Sequence, residues 1–199
     1  MTMLAGFVDA VGYTAMAHLY FSFMSGNSTQ LGMAVARDDM HVAGWSSAII
    51  ATFVLGAFLG TLIQAAAART QLPLVLACEL AALLTASSLY GILAANAALL
   101  PVALAMGMQN AIHQAIAGAA TGKSFVTGAL FGIGESLAQA SLGKAPLAKA
   151  GANTCSWLAF FAGVTCGTLG VGRFGTVSAL LVAAAIVLVL MALSILWRK

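Results

Sequence analysis

Charge is the scarcest commodity in this sequence. Only 7% of its 199 residues are Asp, Glu, Lys or Arg, against roughly 25% in a soluble domain whose surface faces water. Hydrophobic residues make up 62% of the chain and mean hydropathy is +1.03, so most of the outer surface is expected to face hydrocarbon. A soluble enzyme or a soluble binding module is excluded on that ground. The net charge is only +3, and the basic residues stand singly between apolar runs, which is not the clustered stripe that nucleic acid requires. Cysteine is scarce as well. Cys78, Cys155 and Cys166 lie inside apolar runs without paired spacing and read as small buried hydrophobes, not as a disulfide or metal framework. No cofactor is expected. A cleavable signal peptide is not expected either, because there is no basic stretch at the start and Asp9 interrupts what should be uniformly apolar.

What the chain has in abundance is long apolar runs. A spanning helix needs about 20 mostly apolar residues, and stretches 43–68, 72–94, 97–117, 152–171 and 176–197 meet that length. The last runs without a charge from Thr176 to Trp197 and ends on Arg198 and Lys199, an interfacial ring followed by two cations that reach for the headgroups. A sixth span fits residues 2–20, although it carries Asp9 and His18. Two shorter apolar segments remain, 25–36 and 125–141, both rich in glycine. A helix of about 12 residues rises only about 18 Å, less than the hydrocarbon thickness, so these predict half-helices or re-entrant pieces.

The two short segments are related in sequence. Ser22-Phe23-Met24-Ser25-Gly26 recurs as Ser124-Phe125-Val126-Thr127-Gly128, and Leu31-Gly32 as Ile133-Gly134 at the same spacing. Upstream, Gly6-Phe7-Val8-Asp9-Ala10 is echoed by Gly107-Met108-Gln109-Asn110-Ala111; downstream, Gly56 and Gly60 are echoed by Gly163 and Gly167. The chain therefore reads as an internal duplication, residues 1–95 and 96–199, each half running helix, half-helix, helix, helix. With the half-helices not crossing, one side holds Arg69, Lys123, Lys144, Lys149, Arg198 and Lys199, and the other only Arg37 and Arg173. That asymmetry puts both termini in the cytoplasm of a bacterial inner membrane. Three spans is an odd number, so the halves insert with opposite topology. The expected fold is an all-α membrane protein of about six transmembrane helices plus two half-helices, built as a 3+3 inverted repeat, and short segments at matching positions are a pointer to a transporter's central site.

Several polar residues inside the apolar runs are candidates for chemistry. Asp9 falls near mid-membrane if its helix starts at Met1, and a carboxylate there usually faces a cavity or a partner; a cap at the interface is its plainer reading. Glu79 and Glu135 are further candidate proton carriers, with structural pairing the competing role for Glu79 and capping for Glu135. Ser25, Asn27, Ser28, Ser124 and Thr127 are placed to cap the free N–H groups of the half-helices. Gly26 and Gly128 would let the backbone turn there and approach a ligand. A half-helix N-terminus inside the membrane favours an anion; a turn that merely packs the bundle is the plainer alternative. Gln109, Asn110, His113 and Gln114 form a polar stripe expected to line a wet cavity. His18 and His41 read as interfacial residues. The pairs Gly56/Gly60 and Gly163/Gly167 predict close helix packing, within the protomer or across a homodimer.

The motifs Gly6-Phe7-Val8-Asp9-Ala10, Phe21-x-Phe23-Met24-Ser25-Gly26-Asn27-Ser28-x-x-Leu31-Gly32, Met106-Gly107-Met108-Gln109-Asn110-Ala111 and Val126-Thr127-Gly128 resemble those of the YoaK-like family of small bacterial membrane proteins, over nearly the whole chain. The resemblance implies a membrane location and a shared fold and brings no substrate. Paired half-helices also resemble the arrangement of sulfate- and uracil-permease-type transporters, an analogy of architecture alone. The leading expectation is a small secondary transporter for a polar or anionic solute, with proton coupling through Asp9, Glu135 or Glu79. A channel formed by the re-entrant segments and a non-transporting structural subunit are the alternatives. An intramembrane hydrolase using Ser25 or Ser124 with His113 has less behind it, because neither serine stands in a Gly-x-Ser-Gly context.

Overall fold

A computed structural model describes residues 1–16, 18–66, 70–117, 125–144 and 146–196, with the side chains of 113–117 and of 125 left undescribed. Seven helices follow one another: α1 (Thr2–Ala15), α2 (Met24–Ala36), α3 (Met40–Ala66), α4 (Gln71–Leu89), α5 (Ala95–Ala117), α6 (Phe125–Ser141) and α7 (Ala148–Leu196). Four of them, α3, α4, α5 and α7, are long and apolar enough to cross a membrane. The chain is an all-α membrane protein.

The expected spans are met unevenly. Stretches 43–68, 72–94 and 97–117 correspond to α3, α4 and α5, and the two short segments correspond to α2 and α6. Stretches 152–171 and 176–197 are merged into α7, whose helical path is broken at Gly175 (φ 80°, ψ 168°). That backbone conformation is open to glycine and strained for any residue with a Cβ. An unbroken 49-residue helix would be about 73 Å long, so the break leaves two arms, 148–174 and 176–196, each of spanning length. The closing Trp197-Arg198-Lys199 lies outside the described residues, as do Arg69, Lys123 and Ser124.

The span expected at 2–20 takes a different form. Helix α1 has 14 residues, about 21 Å of rise, and stops at Ala15. His18 then adopts a left-handed conformation (φ 68°), and residues 19–21 return without helical structure alongside α1. Hydrogen bonds from Asp9 hold this return, as described below. Composition alone made 2–20 look continuous because the returning residues are as apolar as the helix.

Burial is inverted relative to a soluble protein. Val54, Phe58 and Leu62 on α3, and Leu188, Val189 and Leu196 on α7, are half exposed or more, whereas Asp9, Asn27, Glu79 and Gln109 are buried. Hydrocarbon outside and polar groups inside is the distribution a bilayer imposes. The apolar interior joins Val8 and Val11 of α1, Leu76 and Leu83 of α4, Leu99 and Met106 of α5, and Leu180 and Val187 of α7.

Helix α1 packs on α7, α3 on α5, α4 on both α5 and α7, α2 on α3 and α6 on α7. Glycines set the two closest pairs. A Cβ at Gly163 would run into the Met3 carbonyl, one at Gly167 into Phe7, and one at Gly6 into the Phe160 carbonyl and Val164. On the other pair, a Cβ at Gly56 would meet the Leu104 carbonyl, one at Gly60 Met108, and one at Gly107 the Phe53 carbonyl and Ala57. Small residues let backbones approach this closely, which is how helices associate where lipid removes the hydrophobic driving force. The homodimer expected through Gly56/Gly60 or Gly163/Gly167 is therefore corrected: all four glycines are buried, and their faces are occupied by α5 and α1 of the same chain.

Candidate functional site

Asp9 sits in the middle of α1, where it is 3% exposed. Its Oδ1 accepts the backbone N–H of Phe21 (2.8 Å) and of Ser22 (2.7 Å), and its Oδ2 accepts the Ser22 hydroxyl (2.6 Å). Three donors converge on one carboxylate, which when ionised is acceptor-only; hydrogen bonds to a charged group are the stronger kind. The side chain thus ties the returning segment to α1 just ahead of α2. Asn27, fully buried, closes the same loop from the other side. Its Oδ1 accepts the Tyr20 N–H (2.9 Å) and its Nδ2 donates to the Tyr20 carbonyl (2.7 Å).

These bonds revise the capping expectation. Helix α2 starts at Met24 and has no side-chain cap. Ser25, Asn27 and Ser28 therefore fall inside its first turns. Ser25 and Ser28 are exposed, and the Ser28 hydroxyl donates to the Met24 carbonyl of its own helix, the usual fate of a hydroxyl within a helix. Gly26 makes no sharp turn; a Cβ there would strike the rings of Phe23 and Tyr20. The N–H groups of Phe21 and Ser22, just ahead of α2, already hold the protein's own carboxylate.

Beside Asp9 lies a cavity of about 590 Å³, lined by Asp9, Tyr13 and Thr14 of α1, Tyr20 and Phe23 of the returning segment, Val126 of α6, and Phe160, Val164 and Thr168 of α7. Phe23 immediately precedes α2 and Val126 lies in the first turn of α6. The starts of both short helices thus reach one chamber. Its rings stand at different angles: Tyr13 and Tyr20 are 5.2 Å apart and inclined by 35°, and Phe23 is edge-on to Tyr20 at 5.3 Å. His18 packs edge-on against Tyr13 at 4.6 Å.

A second polar cluster lies between α4 and α5. The Gln109 Nε2 donates to both oxygens of the fully buried Glu79, at 3.1 and 3.2 Å. Gln109 thus serves Glu79 and is not part of the chamber's wall. Asn110, which holds the place of Asp9 in the echoed motif, donates its Nδ2 to the Met106 carbonyl one turn back on α5. The side chains of His113 and Gln114 lie outside the described residues. Glu135 is exposed on α6, where Gln139 Nε2 donates to it at 3.3 Å. Thr127 is exposed and Gly128 half-buried, next to the lining residue Val126 but not themselves lining. Of the expected site residues whose side chains are described, only Asp9 lines the cavity, and Asn27 positions its wall through Tyr20.

The aromatic walls escaped the sequence reading. Tyr13 lies one helical turn after Asp9 on the same face. Phe160, Val164 and Thr168 recur every fourth residue, interleaved with Gly163 and Gly167. Those spacings were visible, but rings in an apolar helix look like ordinary lipid-facing or core residues until a carboxylate is known to stand opposite.

Comparison with known proteins agrees with the membrane architecture. The family described as a protein of unknown function (DUF1275) matches residues 1–193. A curated relative, the UPF0700 transmembrane protein YoaK of Bacillus subtilis (strain 168), is 24% identical over 144 residues, covering 69% of this chain and 64% of that protein. The match thus spans slightly less than two thirds of the relative's length. No solved structure matches the chain. With the family matching almost end to end, the chain belongs to the DUF1275 family of YoaK-like membrane proteins.

Proposed function

We propose that the protein is a small secondary transporter whose solute site is the chamber beside Asp9. The observation that carries this reading is the convergence of the starts of α2 and α6 on one cavity that contains a buried carboxylate. Buried ionisable groups at membrane depth mark solute and ion pathways, and short helices meeting at a central site are a recurrent transporter plan.

The helix contacts support a two-repeat construction with inverted topology, residues 1–95 and 96–199. Met3 against Gly163 corresponds to Leu104 against Gly56, Phe7 against Gly167 to Met108 against Gly60, and Phe160 against Gly6 to Phe53 against Gly107. The α2–α3 contact likewise corresponds to the α6–α7 contact. Two such halves rocking about the chamber would expose it to each side in turn. The distribution of basic residues supports an inner-membrane location with both termini cytoplasmic, and Asp9 is the ionisable group we assign to coupling.

Access from both sides tests the reading. Val164→Cys is placed in a background in which Cys78, Cys155 and Cys166 are replaced, and an impermeant thiol reagent is applied to right-side-out and to inside-out vesicles. Alternating access predicts labelling from both sides, with reactivity on one side falling as the other rises when a bound solute shifts the population. Labelling from neither side, with no solute flux into proteoliposomes, would remove the transport reading. Simultaneous, solute-independent labelling from both sides would favour a channel.

A further inference from the structure

The chamber's lining has a definite chemical preference. Four of its residues are aromatic (Tyr13, Tyr20, Phe23 and Phe160), one is a carboxylate, and none is Lys, Arg or His among the described residues. Several of the donors that an anion could use are already engaged. The Thr14 hydroxyl donates to the Ala10 carbonyl (2.8 Å) and the Thr168 hydroxyl to the Val164 carbonyl (2.9 Å). The Phe21 and Ser22 N–H groups are held by Asp9. An anion entering this space meets a negative group, with the Tyr13 and Tyr20 hydroxyls as donors and no cationic side chain among the described lining residues.

A cation meets the opposite. Ring faces carry negative potential and attract cations, most strongly where water is excluded. The carboxylate adds a counter-charge in a low-dielectric setting, where attraction falls off far less than in water. Oδ2 of Asp9 accepts the Ser22 hydroxyl, and a carboxylate oxygen has room for a further partner. The inclined Tyr13 and Tyr20 rings and the edge-on Phe23 give walls in more than one plane, as a rounded, poorly hydrated cation requires. A volume near 590 Å³ is within the range of small-molecule sites.

We propose that the chamber binds a small organic cation of the substituted-ammonium class, with Asp9 as counter-ion and Tyr13, Tyr20, Phe23 and Phe160 as the aromatic walls. This rests on the transporter reading and narrows its solute from polar or anionic to cationic. Asp9 then has two tasks, holding the returning segment and facing the ligand's charge.

The experiment uses the full chain purified in detergent and three probes of one shape. These are choline, its neutral isostere with carbon in place of the ammonium nitrogen, and the carboxylate of matching length. Binding is read by calorimetry and by the rise in unfolding temperature that a native-state ligand produces. Choline is expected to bind about tenfold or more tightly than the isostere, a difference of 1.4 kcal/mol, and the carboxylate least. Phe160→Leu and Tyr13→Leu should each weaken choline severalfold while leaving the isostere unchanged. Asp9→Asn should abolish the preference for choline. Because Asp9 also holds the fold, the two aromatic variants carry the test if Asp9→Asn does not yield folded protein. Equal binding of choline and the isostere, or no effect of either leucine variant, overturns the proposal. Tighter binding of the carboxylate, lost when the chamber is blocked by Val164→Trp, overturns the cation class and leaves the transporter reading standing. If none of the three binds and proteoliposomes show no flux of any of them, the cation proposal fails; failure of the two-sided labelling as well removes the transporter reading with it.

Discussion

The contact of helix α1 with α7 resembles that of helix α5 with α3, and comparing them separates what the two interfaces share from what differs. In both, a glycine on the first helix faces a carbonyl of the second, and two glycines of the second face carbonyls or Cα atoms of the first, at corresponding positions. The polar groups beside them differ. Asp9 reaches out of α1 to bind Phe21 and Ser22, whereas Asn110 turns back on its own helix to the Met106 carbonyl. Glu79 has Gln109 opposite it, while the matching position of the motif Gly6-Phe7-Val8-Asp9-Ala10 holds the apolar Val8. Packing at backbone distance tolerates no side chain, so it is the same in both halves. A polar side chain needs only a partner within reach, so it can differ.

The largest expected effect probes the shared part. Gly163→Leu and Gly56→Leu place a branched side chain where a neighbouring carbonyl stands. Overpacking a tight interior costs about 1–3 kcal/mol when side chains can give way, and a backbone gives way less, so both variants should lose most of their folded, monodisperse protein in size-exclusion chromatography. The milder Gly163→Ala and Gly56→Ala, each of which sets a Cβ against a backbone carbonyl, should lower thermal stability by comparable amounts. A large drop for one and none for the other would break the equivalence of the two interfaces.

Next in size comes the difference at Asp9 and Asn110. Asp9→Ala removes three hydrogen bonds to a charged acceptor, each worth about 1.5–3 kcal/mol, and frees the segment that ends in α2. A loss above about 3 kcal/mol is expected, with increased proteolysis between α1 and α2. Asn110→Ala removes one bond within a helix and should cost under about 1.5 kcal/mol. Thermal unfolding of the two variants side by side gives the answer. Equal costs would mean that Asp9 does not anchor the returning segment.

How legible this was depends on the kind of feature. The helices α3, α4 and α5 could be read directly, because an apolar run of spanning length has few other uses. The length of segments 25–36 and 125–141 marked the two short helices, since an apolar run of that length falls short of a span. What misled was the local chemistry of Ser25, Asn27 and Ser28. Their residue types suit a cap, but α2 begins one residue before Ser25, and a one- or two-residue shift of a helix start converts a cap into a first-turn residue. The partners of Asp9 were hidden for another reason. They are backbone N–H groups, which every residue carries, so no side-chain pattern announces them. Glu79 and Gln109 were both singled out, yet nothing in the sequence joined them across α4 and α5.

That pair offers a third, intermediate prediction. Gln109→Leu leaves the buried Glu79 carboxylate without its amide donor, and the cost should be about 1–3 kcal/mol, the penalty of an unsatisfied buried group. Replacing both, Glu79→Leu with Gln109→Leu, should recover much of it, because an apolar pair needs no satisfaction. A double-mutant cycle on unfolding free energies measures the coupling. Additive losses would show that the two side chains act separately.

The smallest effect is the one that most sharply separates residue type from residue position. Ser25 and Asn27 are two residues apart in one motif, and both looked like site residues. Ser25 is exposed, whereas Asn27 is fully buried with both ends of its amide bonded to the Tyr20 backbone. Ser25→Ala should change stability by no more than about 0.5 kcal/mol, as exposed substitutions usually do, and should leave ligand binding at the chamber unchanged. Asn27→Ala should cost about 1–3 kcal/mol and, by releasing Tyr20 from the chamber wall, weaken binding as well. Thermal unfolding and choline titration on the two variants decide the matter together. A stronger effect at Ser25 than at Asn27 would return the site to the start of α2 and take it away from the chamber beside Asp9.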